Sequence, residues 1–204
     1  MKKIVILLNL LCAFYFNSLA QTTYTWNVTR GDWNSPSSWS PARNTPAAND
    51  ILVFNGSTIP NACATLITTQ TIGKLRIINN ANVRFIAKAP TQATGTISRA
   101  SGNVTGSSTL FTTELKQGDV ITNGNAFYGE VSSITSNTAM VVSALGNLTN
   151  VPFYFAQSLN LNDGTTSALD ISSGSVLTMS DSTLVIRILN GSKGSVNGTV
   201  RMLN

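Results

Sequence analysis

Short apolar runs closed by asparagine or glycine corners recur along this chain, and nothing else in it constrains the fold as much. Ile51-Leu52-Val53-Phe54 stops at Asn55-Gly56. Ala64-Thr65-Leu66-Ile67 follows, then Ile72, Leu75, Ile77 and Ile78, which stop at Asn79-Asn80. Val83-Arg84-Phe85-Ile86 ends before Pro90. Runs of this length, spaced at roughly ten residues and bounded by turn formers, predict strands and an all-β chain. The same texture returns after Gln157, in Leu159–Asp163, Ala168–Ser173, Val176–Ser180, Leu184–Leu189 and Ser195–Met202. An irregular internal repeat of this kind predicts a β-solenoid, with apolar positions stacked inward from one coil to the next. Asparagine and glycine suit its corners because they tolerate left-handed backbone. A β-sandwich is the alternative, and it predicts hairpins with strict one-sided alternation. Ile51–Phe54 and Leu184–Leu189 are apolar on both parities, which favours the solenoid.

Between the two repeat regions the texture changes. Residues 94–157 contain longer alternating stretches such as Phe127–Thr135 and Ala139–Val142, a Leu115-x-x-Gly118-Asp119-Val120-Ile121 turn feeding a strand, and the aromatic run Phe153-Tyr154-Phe155. They predict a small antiparallel, barrel-like β module inserted into the larger run. Tyr128, Phe153, Tyr154 and Phe155 are expected in its core. A module of about 60 residues makes only a marginal core by itself, and attachment at both ends supports it.

The first twenty residues pair Lys2-Lys3 with an apolar stretch from Ile4 to Phe16 and the small residues Ser18 and Ala20. This is the plan of a secretory signal cut near Ala20. The stretch is shorter than the roughly 20 residues needed to cross a bilayer, so no membrane span is expected in the mature chain. Losing Lys2 and Lys3 from 13 basic residues leaves 11 against eight acids, a net charge of +3. Lys74, Arg76, Arg84 and Lys88 are the densest basic group; they read as solvated strand positions, or as a weak positive face for acidic polysaccharide. Blocks of like charge that would signal nucleic acid are missing from the sequence.

Cys63 is then the one cysteine left, so no intrachain disulfide forms, and its small neighbours predict a buried hydrophobe. With no histidine anywhere, Ser-His-Asp and Cys-His catalysis and histidine-bound zinc are excluded. No cofactor or metal is implied.

Residues 21–49 are polar, turn-rich and aromatic. Trp26, Trp33 and Trp39 all lie here, with Pro36, Pro41 and Pro46. Each indole buries roughly 150–250 Å² when covered, so the segment is expected to cap the first coil. Trp26, Gly31-Asp32-Trp33-Asn34, Ser38-Trp39-Ser40-Pro41, Pro46, Asn49-Asp50 and Ile51–Phe54 together resemble the start of large secreted β-helix proteins. These are adhesin-like or autotransporter-like surface proteins of Gram-negative bacteria, many exported by type IX secretion. The resemblance covers about thirty residues closely, and it implies a tryptophan-rich cap on a right-handed parallel β-helix. It says little about activity, since such folds carry adhesins, polysaccharide lyases and spacers alike.

The expected organisation is a signal peptide (1–20), a cap (21–49), first solenoid coils (50–93), the inserted module (94–157) and further coils (158–204). The last coils end without a visible cap, so a longer polypeptide or end-to-end stacking on further coils is expected. Among the acids, Asp32, Asp50, Glu114, Asp119, Glu130, Asp163, Asp170 and Asp181, no pair has the spacing that glycoside hydrolysis needs. No acidic cluster accompanies Arg187 or Arg201 to hold the calcium of a lyase. The candidate sites are therefore for binding: Trp33 and Trp39 could stack on sugar, with Asp32 and Asn34 offering polar edges. The expected role is a secreted or surface-located, non-catalytic adhesin-like scaffold that meets extracellular polysaccharide or a host or matrix surface. A fragment of a β-helix polysaccharide lyase or hydrolase, or a carbohydrate-binding module, is the alternative.

Overall fold

The computed structural model describes residues 21–203 apart from 102, 125, 126, 145, 165, 166, 181, 182 and 190. The expected signal peptide lies outside them. The chain is all-β, in three sheets of a larger body and one closed barrel.

In the body, the chain visits the sheets in a fixed rotation. β1 (Thr23–Trp26) lies in the first sheet and β2 (Arg30–Asp32) in the second; a 3-10 turn (Pro36–Ser38) then leads to β3 (Trp39–Ser40), which doubles back on β1. β4 (Ile51–Asn55), β5 (Asn61–Ile67) and β6 (Gln70–Ile72) take the first, second and third sheets in turn. β7 (Lys74–Ile78) and β8 (Asn82–Ala87) repeat the first two steps. Before the third sheet, the chain leaves to build the barrel from β9 (Thr91–Ala100), β10 (Asn103–Ser107), β11 (Val120–Thr122), β12 (Phe127–Ser136), β13 (Ala139–Ala144) and β14 (Leu148–Phe155). It rejoins the third sheet as β15 (Gln157–Leu161). β16 (Leu169–Ile171), β17 (Val176–Met179) and β18 (Leu184–Ile188) make another circuit, followed by β19 (Gly194–Val196) and β20 (Thr199–Met202).

Every pairing in the body is parallel except β3 on β1. Like residues therefore sit over like. Leu52, Leu75 and Leu169 form one register column in the first sheet, and Ala62, Val83 and Leu177 form one in the second. Ile72 and Leu161 do the same in the third. All of these side chains are buried, in one core shared by the three sheets. Each fully buried Leu, Ile or Phe contributes about 1.5–3 kcal/mol, so stacking apolar columns suffices to hold strands only three to seven residues long. The corners obey the same economy of space. Asn79 and Asn80 take the left-handed conformation (φ 57° and 60°). Their backbone crowds Gly56 so closely that a Cβ there would come within 2.1 Å of the Asn79 carbonyl oxygen.

The barrel is antiparallel throughout and closes in the order β9-β10-β13-β12-β11-β14. It has its own core. Phe111, on a one-turn helix α1 (Phe111–Glu114), meets Phe153 edge-on at 5.8 Å, beside Ile97, Val104, Val131 and Val142. Tyr128 and Phe155 pack against this core half-buried, and Tyr154 is half-exposed outside it. The barrel begins three residues before and ends two before the 94–157 insert expected from texture. Thr91 already pairs with Phe155, and Gln157 already belongs to the body.

The two ends of the barrel thus meet. Gln157 holds them: its Nε2 donates to the Ala89 carbonyl (3.1 Å), and its Oε1 accepts from the Thr69 amide (2.8 Å) and hydroxyl (3.1 Å). The barrel rests against the third sheet, where Arg187 pairs with Asp119 at 3.2 Å.

Candidate functional site

The tryptophans proposed as sugar-stacking residues are core. Trp33 and Trp39 are 0% and 2% exposed and lie edge-on to each other at 5.2 Å. Trp33 meets Phe85 at 5.4 Å, Trp39 meets Trp26 at 4.9 Å, and Phe54 stacks on Trp26 at 5.3 Å. Trp39 Nε1 donates to the Trp33 carbonyl (2.9 Å). No ring face is left for a ligand, and the stacking expectation is corrected. Asp32 and Asn34 also serve the fold. Asp32 Oδ1 accepts the Asn34 amide (2.7 Å) in a tight local turn. Asn34 Nδ2 donates to the Leu66 carbonyl (2.9 Å), and its Oδ1 accepts from Thr68 (3.1 Å). These bonds tie the first turn to the loop of the next circuit.

The remaining acids are dispersed, and most hold structure. Asp50 pairs with Arg43 at 2.8 Å, each side chain 2% exposed, and also accepts the Ala47 amide. The Arg43 guanidinium lies 5.9 Å from the Tyr24 ring and 6.0 Å from Trp39. Asp163 pairs with Lys74 (3.3 Å), Asp170 with Arg76 (2.9 Å) and Asp119 with Arg187. Glu114 accepts from the Thr94 amide and hydroxyl. Glu130 is exposed on β12, and Asp181 lies outside the described residues. Among the described residues, no group of three His, Cys, Asp or Glu could hold a metal ion.

The basic residues are arranged differently from their order in the chain. Lys74 and Arg76 belong to the first sheet and are ion-paired; Arg84 belongs to the second. Register gives Arg84 other neighbours. Arg30, Cys63, Arg84, Thr178 and Arg201 form a single column across β2, β5, β8, β17 and β20. The three arginines are exposed. Strands in a sheet lie about 4.8 Å apart, so successive arginines repeat at about 9.6 Å and the column spans about 19 Å. The Arg30 guanidinium donates to Cys63 Sγ (3.3 Å), and Arg84 Nε donates to Ser180 Oγ (2.5 Å). Cys63 is half-buried on the outward side, not in the core as expected.

Beside this column runs a shallow groove of about 380 Å³, lined by Thr29, Asn61, Ala62, Cys63, Asn82, Arg84, Thr178 and Arg201. Asn61 and Asn82 stack in the neighbouring column, with Asn82 Nδ2 donating to Asn61 Oδ1 (3.2 Å). The face is cationic and amide-rich, suited to an anionic partner with hydroxyl groups.

The grouping of Arg30 and Arg201 with Arg84 was not seen, because they lie far from Arg84 in sequence. Their common feature, an outward position in the same strand of successive circuits, becomes visible only once register is known. Comparison with models of known protein families, with curated proteins and with solved structures found no match. Among the described residues, no helix is long and apolar enough to cross a membrane.

Proposed function

We propose that this protein is an exported, non-catalytic, adhesin-like scaffold. Its body is a right-handed parallel β-helix, closed at the amino end by the tryptophan cluster and carrying the barrel to one side. The observation that carries this reading is the continuity of register across the excursion. Leu75 pairs with Leu169 and Asn82 with Val176, although the whole barrel lies between them in the chain. Parallel pairing through three sheets supports a helix over a sandwich, which would be built from hairpins. Right-handedness follows from the strong preference of parallel crossovers for that hand. Engagement of Asp32, Asp50, Glu114, Asp119, Asp163 and Asp170 in turns, ion pairs and loop contacts favours a structural role for them over acid–base chemistry.

Export is tested by expressing the entire chain in a Gram-negative host. A product trimmed between Ala20 and Gln21 and recovered outside the cytoplasm supports the reading. An untrimmed cytoplasmic product overturns it. Small-angle scattering on the trimmed product tests the scaffold: a body with a lateral lobe is expected, and a single compact sphere contradicts it.

A further inference from the structure

We propose that the outward face of the second sheet binds a linear carboxylated polysaccharide lying along the strand stack, with its carboxylates on Arg30, Arg84 and Arg201. This deepens the scaffold reading by naming its ligand class, and it rests on that reading only for where the ligand is met. Two independent features point to it. The first is charge: Arg43, Lys74, Arg76 and Arg187 each have a carboxylate partner, whereas none of the three column arginines has one among the described residues. Three guanidinium groups with no ion-pair partner among the described residues, two of them partly held by Cys63 and Ser180, are ready for bidentate anion recognition. The second is geometry. The alternating column members Cys63 and Thr178 are small, which leaves room between the arginines. Two strand steps are comparable to the rise of two sugar rings in an extended chain, so every second carboxylate of a two-fold ribbon falls on an arginine. The amides of Asn61 and Asn82 and the hydroxyls of Thr29 and Thr178 then face sugar hydroxyls. Single-stranded nucleic acid would want aromatic platforms for its bases, and no aromatic residue lines the groove.

The test is calorimetric titration of the purified protein with oligogalacturonates of increasing length, against maltohexaose, dextran sulfate and single-stranded DNA. Binding to the uronates is expected, rising with length until the chain spans all three arginines. It should weaken with salt. Arg84→Gln should cost about tenfold, in line with one charge-assisted contact, and the Arg30→Gln/Arg84→Gln/Arg201→Gln variant should abolish binding at an unchanged melting temperature. Arg76→Gln, on the first sheet, should bind as the parent does. Failure to bind uronates, or binding that survives the triple change, overturns the proposal. Tighter binding of DNA through the same arginines replaces it with a nucleic-acid face, and preference for dextran sulfate over uronates moves it to sulfated glycans; either result overturns the carboxylate assignment. These outcomes are independent of export: a secreted protein that ignores uronates defeats only this inference, and a cytoplasmic protein that binds them defeats only the scaffold reading.

Discussion

In the body, the neighbours of a side chain are the residues above and below it in parallel register. In the barrel, they are the residues opposite it across antiparallel pairs. The first arrangement repeats a good position: an apolar residue at one level favours an apolar residue at the next, as in Leu52, Leu75 and Leu169. It repeats a charged position equally well, as Arg30, Arg84 and Arg201 show. The barrel closes on itself and repeats nothing; its core is assembled from unlike residues, Phe111, Phe153, Val104 and Met140. The difference teaches that a stack of short strands can accept a large guest wherever its chain ends come together. Here they meet at Thr91 and Phe155.

If the two cores are separate, damage to one should spare the other. Trp33→Ala should have the largest effect, about 5 kcal/mol, because it empties a fully buried site touching Trp39, Phe54 and Phe85. Calorimetry should show the body's transition falling steeply while the barrel's stays in place; a single transition that falls as a whole would erase the distinction. Phe153→Ala is the mirror experiment, expected to remove about 4 kcal/mol from the barrel alone. Tryptophan fluorescence should hardly register it, since all three indoles lie in the body.

Arg43→Met probes the amino-terminal closure of the body. It strands the Asp50 carboxylate in a buried position and should cost about 3 kcal/mol in urea unfolding. Adding Asp50→Leu should restore most of that loss. The smallest effect is at the joint. Arg187→Met removes a largely buried ion pair to Asp119, with side chains 15% and 9% exposed, and should cost about 2 kcal/mol. Its signature is weaker coupling between the two transitions rather than a lower midpoint for either. Arg187 Nη2 and, on the facing strand, Asn160 Oδ1 and Ser158 Oγ are buried without a hydrogen-bond partner among the described residues.

The sequence told more about the body than about the barrel. Ile51–Phe54, Val83–Ile86 and Leu184–Leu189 are apolar runs bounded by corner residues, and their strands could be placed directly. Burial of the three indoles was legible from their size and their place before the first long strand. The barrel-like character of the insert was legible too, from its longer alternating strands, but its strand order was not, because joining β14 to both β9 and β11 depends on contacts that no local period records. Asp50 and Arg43 belong to a polar, proline-rich stretch in which no spacing marks them as partners, yet the fold buries them as an ion pair. The arginine column was hidden for a different reason. Its members follow each other at unequal intervals, interrupted by a strand bearing Cys63, a strand bearing Thr178 and the whole barrel. Chain density grouped Arg84 with Lys74, Arg76 and Lys88, although the charges of Lys74 and Arg76 are already met by Asp163 and Asp170.

That the barrel is a guest on a self-sufficient parallel stack is tested most directly by removing it. Deleting Pro90 through Ala156 and joining Ala89 to Gln157 through two glycines bridges a gap already spanned by a side-chain hydrogen bond. Hydrogen exchange read by mass spectrometry should then find peptides of β7, β8, β16 and β17 as protected as in the parent. Exchange of those peptides at unfolded-chain rates would show that the body depends on the barrel, and the division into host and guest would be wrong.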